Sequence, residues 1–198
     1  MKQFLVNAAL RLGYEVEIHR RPVRSETSRH RDLLQPYCQG YGCDIGFGGD
    51  PISAEAIRVD LPTPYTSVGP FKVQLGGDCR NLHWFGDDVL DFVYSSHLLE
   101  DFPEPEIITI LAEWSRALKP GGRMVLLLPD QQRYLNACRK NGQGPNPHHS
   151  MDHFSLAALR PLIARLPCLR EVAAYPNLGE YSFAVVLEKL SAVRASPG

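Results

Sequence analysis

The chain has 198 residues, 44% of them apolar, and a formal net charge of −1. That length suits one domain with a packed core, which excludes global disorder, and a near-neutral charge with no basic block argues against a nucleic-acid partner. The five cysteines are scattered and form no Cys-x-x-Cys pair, which argues against a zinc site or a disulfide framework and for reduced thiols in a cytoplasmic protein.

Phe4, Leu5, Ala8, Ala9 and Leu12 recur at helical spacing, and Gly13 can close that helix. Residues 1–12 lack the apolar region and cleavage site of a signal peptide, and no apolar run reaches transmembrane length, so no integral membrane contact is expected. Residues 14–18 alternate and read as a short strand. Arg20, Arg21, Arg24, Arg29 and Arg31 then crowd together. A solvated linker is the plainer reading, and a basic rim for an anionic substrate or a membrane surface the sharper one. Residues 28–38 read as a short helix.

The next stretch is Tyr41-Gly42-Cys43-Asp44-Ile45-Gly46-Phe47-Gly48-Gly49-Asp50-Pro51. It reads as a short buried strand running into a glycine turn, with Asp44 delivered to the strand's C-terminal end. A carboxylate beside such a turn suits a ligand with hydroxyl or ammonium donors. Residues 56–59 make a second strand, ending at Asp60, after an interval close to the shortest a parallel crossover can use. Pro51 and Ser53 can start only a turn or two of helix there. Residues 71–75 make a third strand, and Gly76-Gly77-Asp78 turn out of it.

Residues 89–94 are apolar enough for a central fourth strand. Residues 105–118 form the clearest helix, with Ile107, Leu111, Trp114 and Leu118 on one face and Lys119-Pro120-Gly121-Gly122 as its stop. Residues 124–128 are a buried fifth strand. Residues 134–150 are rich in Asn, Gly, Pro and His and read as a long loop, functional or disordered. Ser155 N-caps a helix to Leu166, which Pro161 would kink. Residues 169–175 and 181–187 are an antiparallel last pair, and the tail from Ser191 frays. The chain thus divides into a helix and arginine-rich cap over 1–38, a main domain over 39–190 and a tail over 191–198.

Strands alternating with crossovers give an α/β fold with an open, mainly parallel sheet and helices on both faces. Ligands bind outside the carboxyl ends of such strands, where Asp44, Asp60 and Asp78 converge. On these residues the chain resembles the class I S-adenosylmethionine-dependent methyltransferases, most closely a small bacterial type-11-like branch. Asp44, Gly46 and Gly48 match the family's first motif, an acidic residue followed by alternating glycines. Leu90-Asp91-Phe92-Val93-Tyr94-Ser95-Ser96-His97-Leu98-Leu99-Glu100 looks like its fourth-strand motif, and Leu118-Lys119-Pro120-Gly121-Gly122-Arg123-Met124-Val125 like its turn into strand five. The likeness covers residues 40–129. The third glycine of the first motif is Asp50 here, followed by Pro51, a departure at the methionine end of the cofactor.

The resemblance implies a Rossmann-like, doubly wound, seven-stranded sheet with an antiparallel last strand. It implies S-adenosylmethionine as cofactor and S-adenosylhomocysteine as product. Gly46 and Gly48 would pass under the methionine part, with Asp44 beside them. Asp60 would accept hydrogen bonds from the ribose hydroxyls, and Asp78 with Cys79 and Leu82 would meet the adenine. Ser95, Ser96 and His97 would border the methyl group and the substrate. Such a transfer needs mostly positioning, and needs a base only if the acceptor holds its proton. His97 is the candidate base, because imidazole titrates near neutrality. His148, His149, His153 and Tyr181, with Tyr134, are candidates for the substrate side. With Asp152, the three histidines have the donor types of a metal site, but the family generally works without metal, so no metal is assigned. The expected acceptor is a small molecule or a sugar hydroxyl on a glycan, and a homodimer is left open. The alternative is a cofactor-binding domain without catalysis, or a partner subunit. A nicotinamide enzyme is disfavoured, since a third glycine and a fuller first crossover helix are missing.

Overall fold

The computed structural model describes residues 25–64 and 70–191. The expected helix over 2–12, the strand over 14–18, Arg20, Arg21, Arg24 and the tail beyond Ser191 lie outside the described residues. The strands are β1 (Gly42–Ile45), β2 (Ile57–Asp60), β3 (Leu75–Gly76), β4 (Leu90–Ser96), β5 (Leu118–Pro129), β6 (Leu169–Leu178) and β7 (Ser182–Lys189). They form one seven-stranded sheet in the order β3-β2-β1-β4-β5-β7-β6. The pairs from β3 to β5 are parallel, and β7 runs antiparallel to both β5 and β6. The helices are α1 (Glu26–Leu34), α2 (Glu104–Ala117), α3 (Gln131–Asn141) and α4 (Leu156–Ile163).

Side chains alternate across a strand, so β5 supplies both faces. Met124, Leu126 and Leu128 pack with Ile107, Leu111 and Trp114 of α2 and with Leu159 and Leu162 of α4. Val125 and Leu127 pack on the other face with Phe92, Tyr94 and Leu34 of α1. Both faces are covered, which is why β5 reads as a continuous apolar run. Gly42 permits the close approach of β1 to β4: a Cβ there would lie 2.4 Å from the Phe92 carbonyl oxygen and 2.3 Å from its ring.

Five elements depart from the sequence reading. The helix expected over 28–38 begins at Glu26, because the Ser25 hydroxyl accepts from the Ser28 N–H at 2.9 Å, and it gives way to a 3₁₀ turn at Gln35–Tyr37. The third strand shrinks to Leu75–Gly76, paired only with Val59 and Asp60 at the sheet edge. The fifth strand extends back through Lys119-Pro120-Gly121-Gly122, with Leu118 opposite Leu90 and a register irregularity before Phe92, so that stretch is a bulged strand entry.

The largest correction is α3. The expected loop from residue 134 is helical to Asn141. Asp130 caps it by accepting from the Arg133 N–H at 3.0 Å, and Gly142, at φ 63°, ends it with its N–H on the carbonyls of Arg139 and Cys138. The loop-forming residues are concentrated after Gly142, and they mask the good helix formers before it. Tyr134 therefore stands on a helix. α4 stops at Ile163, short of Leu166, with Pro161 inside it. Ser155 caps it as expected, accepting from the Ala158 N–H at 3.2 Å.

Trp114 is fully buried and its indole N–H donates to the Cys79 carbonyl at 2.8 Å, tying α2 to the segment that leaves β3. Trp114→Ala is expected to cost about 3–5 kcal/mol of stability. A urea titration reads this as a lowered midpoint at an unchanged slope.

Candidate active site

A cavity of about 360 Å³ opens beyond the C-terminal ends of β1 and β2. Ile45, Val59, Leu98 and Phe102 give it apolar walls, and Asp60, Asp78 and His148 its polar rim. Gly46 lies in its floor at φ 67°, and its N–H donates to the Val59 carbonyl at 2.8 Å. A Cβ on Gly46 would come within 2.9 Å of the Leu98 side chain, so the turn has both a backbone and a steric need for glycine. Gly48, at φ 60°, has open space where a side chain would stand.

Asp60 closes the turn. Its Oδ2 accepts from the Gly48 N–H at 3.3 Å and its Oδ1 from the Leu61 N–H at 2.8 Å. Burial raises its pKa above the ordinary carboxylate value, against those two hydrogen bonds. Two bonds leave the carboxylate with acceptor capacity toward the cavity. Asp78 is held by Arg80, whose Nε reaches both carboxylate oxygens at 3.0 Å and whose terminal nitrogen reaches one at 2.6 Å. That guanidinium lowers the pKa of Asp78. The Cys79 thiol is pushed up to about 12, chiefly by burial, so it walls the cavity as a neutral group.

Asp44 and Ser95 stand behind this surface and are not among its walls. The Asp44 carboxylate is fully buried, and its Oδ2 accepts from the Ile52 N–H at 2.6 Å, tying the turn to β1. Ser95 donates to the Ile45 carbonyl at 2.9 Å and clips β4 to β1. Leu82 is core. Asp50, at the third glycine position, turns to α1: it takes the Ser25 hydroxyl and a 2.5 Å bond from Arg31. Arg31 also donates to the carbonyls of Pro51 (3.0 Å) and Ile52 (3.2 Å). One of the crowded arginines is thus a clamp on the turn rather than a basic rim.

A second cluster covers the ends of β4, β5 and β7. His97 has φ 52°, uncommon for a non-glycine residue, and its N–H donates to the Leu127 carbonyl at 2.8 Å. Its Nε2 lies 3.2 Å from the Ser182 Oγ, and its Nδ1 3.5 Å from Glu100 Oε1. His149 Nε2 faces the same oxygen at 3.8 Å, and His149 Nδ1 bonds Gln131 Oε1 at 2.8 Å. Tyr181 sets its ring edge-on to His97 (5.8 Å) and to Tyr134 (5.3 Å), and Tyr134 leans on His149. Burial, aided by His149 and His30, pushes the His97 imidazole down to about 3, and burial pushes the Glu100 carboxyl well above its ordinary value. Both groups are thereby favoured in their neutral forms.

The structure therefore splits the expected substrate set. His97, His149 and Tyr181 come together, His148 walls the cavity, and His153 is exposed. Ser96 is half-buried on the face of β4 that carries Tyr94. Among the described residues, no group of three His, Cys, Asp or Glu side chains is placed to hold a metal ion. The sequence reading missed Glu100, Gln131, Ser182 and Glu26. Glu100 follows His97 by three residues, a spacing that would have pointed to it. Ser182 and Glu26 are 156 residues apart and carry no local signal.

Residues 30–126 match a family model described as a methyltransferase domain. The fold is similar to that of a protein from Pyrococcus horikoshii OT3, at TM-score 0.67 and 17% identity over 96% of this chain and 99% of that one. It is similar to a SAM-dependent methyltransferase from Archaeoglobus fulgidus (TM-score 0.61, 17% identity, 83% and 95% covered). A SAM-dependent methyltransferase from Aquifex aeolicus is also similar (TM-score 0.59, 14% identity, 85% and 94% covered). At these identities the likeness is one of fold. No curated protein matches the chain in sequence.

Burial, with the charges of Asp50 and Asp60, holds the Asp44 carboxyl well above its ordinary 3.8. Above that pH the unfolded chain releases a proton that the folded chain keeps, so Asp44 lowers stability as pH rises. Asp44→Asn keeps the acceptor for Ile52 and does not titrate. Its stability relative to the parent should be constant below pH 3.8 and rise with pH above it, by at most about 1.4 kcal/mol per pH unit. Denaturant titrations across pH check this.

Proposed function

We propose that the chain, whose residues 30–126 match a methyltransferase-domain model, is a class I S-adenosylmethionine-dependent methyltransferase and that it methylates a small-molecule or glycan hydroxyl from the cavity beyond β1 and β2. The observation that carries this reading is the half-buried Asp60 carboxylate at the end of β2, braced by the Gly48 N–H beside an apolar-walled cavity. A carboxylate takes two neighbouring hydroxyls well, and charge-assisted hydrogen bonds are the stronger kind.

The donor set fits the cofactor. Asp60 serves the ribose hydroxyls, and Ile45, Val59 and Leu61 offer apolar surface to the nucleoside. Asp78 and Cys79 stand at the adenine edge, and the open space over Gly48 leaves room for the methionine end. Asp44 and Ser95 act one layer back, by holding the turn and the β1–β4 seam. Bound there, S-adenosylmethionine supplies a methyl group activated on a sulfonium. The chain's own residues orient the acceptor and take its proton.

His97 is the base in this reading. Burial keeps the imidazole neutral with a free lone pair but makes it a weak base, which suits an acceptor whose proton turns acidic as the methyl group arrives, and its strained backbone is held in place by the β5 carbonyl of Leu127. Tyr134, Tyr181 and His149 form the acceptor side with it, and Ser96 and His148 flank that side. His153, exposed, serves an acceptor only at the rim. Two tyrosines and neutral histidines offer hydrogen bonds and ring faces, which suit a polar, uncharged acceptor.

Calorimetric titration with S-adenosylhomocysteine tests the cofactor site. The parent is expected to bind at about micromolar Kd. Asp60→Ala removes hydrogen bonds to a charged group worth about 1.5–3 kcal/mol, so its Kd should rise about 10-fold to 150-fold. Equal binding by the two proteins would remove Asp60 from the site.

A further inference from the structure

Among the described residues, His97 is hydrogen-bonded on one side of its ring only, and the partners on that side decide which nitrogen holds the proton. The Ser182 Oγ donates to Glu26 Oε2 at 2.7 Å. A hydroxyl has one proton, so Ser182 has none left for His97. Its Oγ, 3.2 Å from His97 Nε2, must then accept, and Nε2 must carry the hydrogen. A neutral imidazole has a single N–H, which leaves Nδ1 as the lone pair. Nδ1 faces Glu100 Oε1 at 3.5 Å, beyond a good hydrogen bond, so the lone pair is not spent there.

We propose that Ser182 and Glu26 are positioning residues that lock His97 in its Nε2–H form, so that Nδ1 is the nitrogen that takes the acceptor's proton. This rests on the methyl-transfer reading of the site. The acceptor's heteroatom bonds the methyl carbon as the carbon–sulfur bond breaks, and the acceptor's proton passes to Nδ1. The ring becomes an imidazolium whose Nε2–H stays on Ser182, and the new charge faces Glu26 through that hydroxyl.

The lock is built from parts far apart in the chain. Glu26 stands in the first turn of α1 and Ser182 opens β7, and both lie outside the matched residues 30–126. The register Pro129↔Ser182 places the hydroxyl at the C-terminal end of β5, beside His97 at the end of β4. The other titratable groups around His97 are His30 on α1, whose Nε2 lies 3.7 Å from Glu26 Oε2; Glu100 after β4; Tyr134 on α3; His149; and Tyr181 before β7.

Long-range ¹H–¹⁵N NMR on the full chain with ¹⁵N-labelled histidine rings reads the tautomer directly, with His97→Gln to assign the signals. The parent should show His97 neutral and in the Nε2–H form between about pH 6 and 8. In Glu26→Ala the hydroxyl of Ser182 loses its acceptor and can donate to His97, so the signals should exchange toward the Nδ1–H form. A parent ring that is already Nδ1–H, or cationic through this range, overturns the proposal. So does an unchanged tautomer in a folded Glu26→Ala, and if that variant does not fold, the parent spectrum decides alone. Calorimetry with S-adenosylhomocysteine on the same samples keeps the two ideas apart. Loss of cofactor binding with the Nε2–H tautomer intact rejects the methyltransferase site, whereas binding with the wrong tautomer rejects only the lock.

Discussion

The glycine turn after β1 has no helix behind it, and the site depends on how that turn is held. Three carboxylates do it. Asp44 takes the Ile52 N–H from below, Asp60 takes the Gly48 N–H from the side, and Asp50 reaches Arg31 on α1. Each bond is to a charged or potentially charged group in a partly or fully dry setting, where an unmade bond is expensive. In many open α/β sheets the crossover helix supplies this rigidity through packing. Here side-chain ties supply it, and the chain needs acidic residues at three places within and beside the turn.

That arrangement also separates the charges of the molecule. Around the cavity the carboxylates are bonded to backbone N–H groups or to arginine, and they face donors. Over the ends of β4, β5 and β7 the titratable groups are buried against one another, with histidines pushed down and Glu100 pushed up. Desolvation is the first cause in each case, so this second region favours neutral forms. One end of the sheet thus sets a carboxylate-bearing cavity edge beside a patch of buried histidines and Glu100, and Leu98 joins them as the residue after His97 and a wall of the cavity. Among the described residues, no helix is long and apolar enough to cross a membrane.

The local elements were largely legible. The apolar face of α2, the continuous apolar β5 and the alternation of strands with crossovers follow from side-chain periodicity, which burial imposes directly. The Asp-x-Gly-x-Gly turn and the strand-end position of Asp60 were legible for the same reason: φ values near 60° and close backbone approach leave glycine few substitutes. α3 was not legible as a unit, since its capping signals, Asp130 and Gly142, were outweighed by the Asn, Gly, Pro and His that follow. The role of Asp44 was also hidden, because a sequence does not say which side of a turn a carboxylate faces.

Residue type and spacing by themselves determined the sheet-forming segments, the glycine turn with its acidic neighbours, and the family these resemble. Only the tertiary structure decided that Asp50 is neutralised by Arg31, that His149 meets Glu100 while His148 walls the cavity, and that Glu26 reaches His97 through Ser182. Periodicity records what is near along the chain, on one face of a helix or strand. The last of these contacts joins the first described helix to the last strand, and it exists only because β7 inserts antiparallel beside β5 and brings Ser182 to the end of β4.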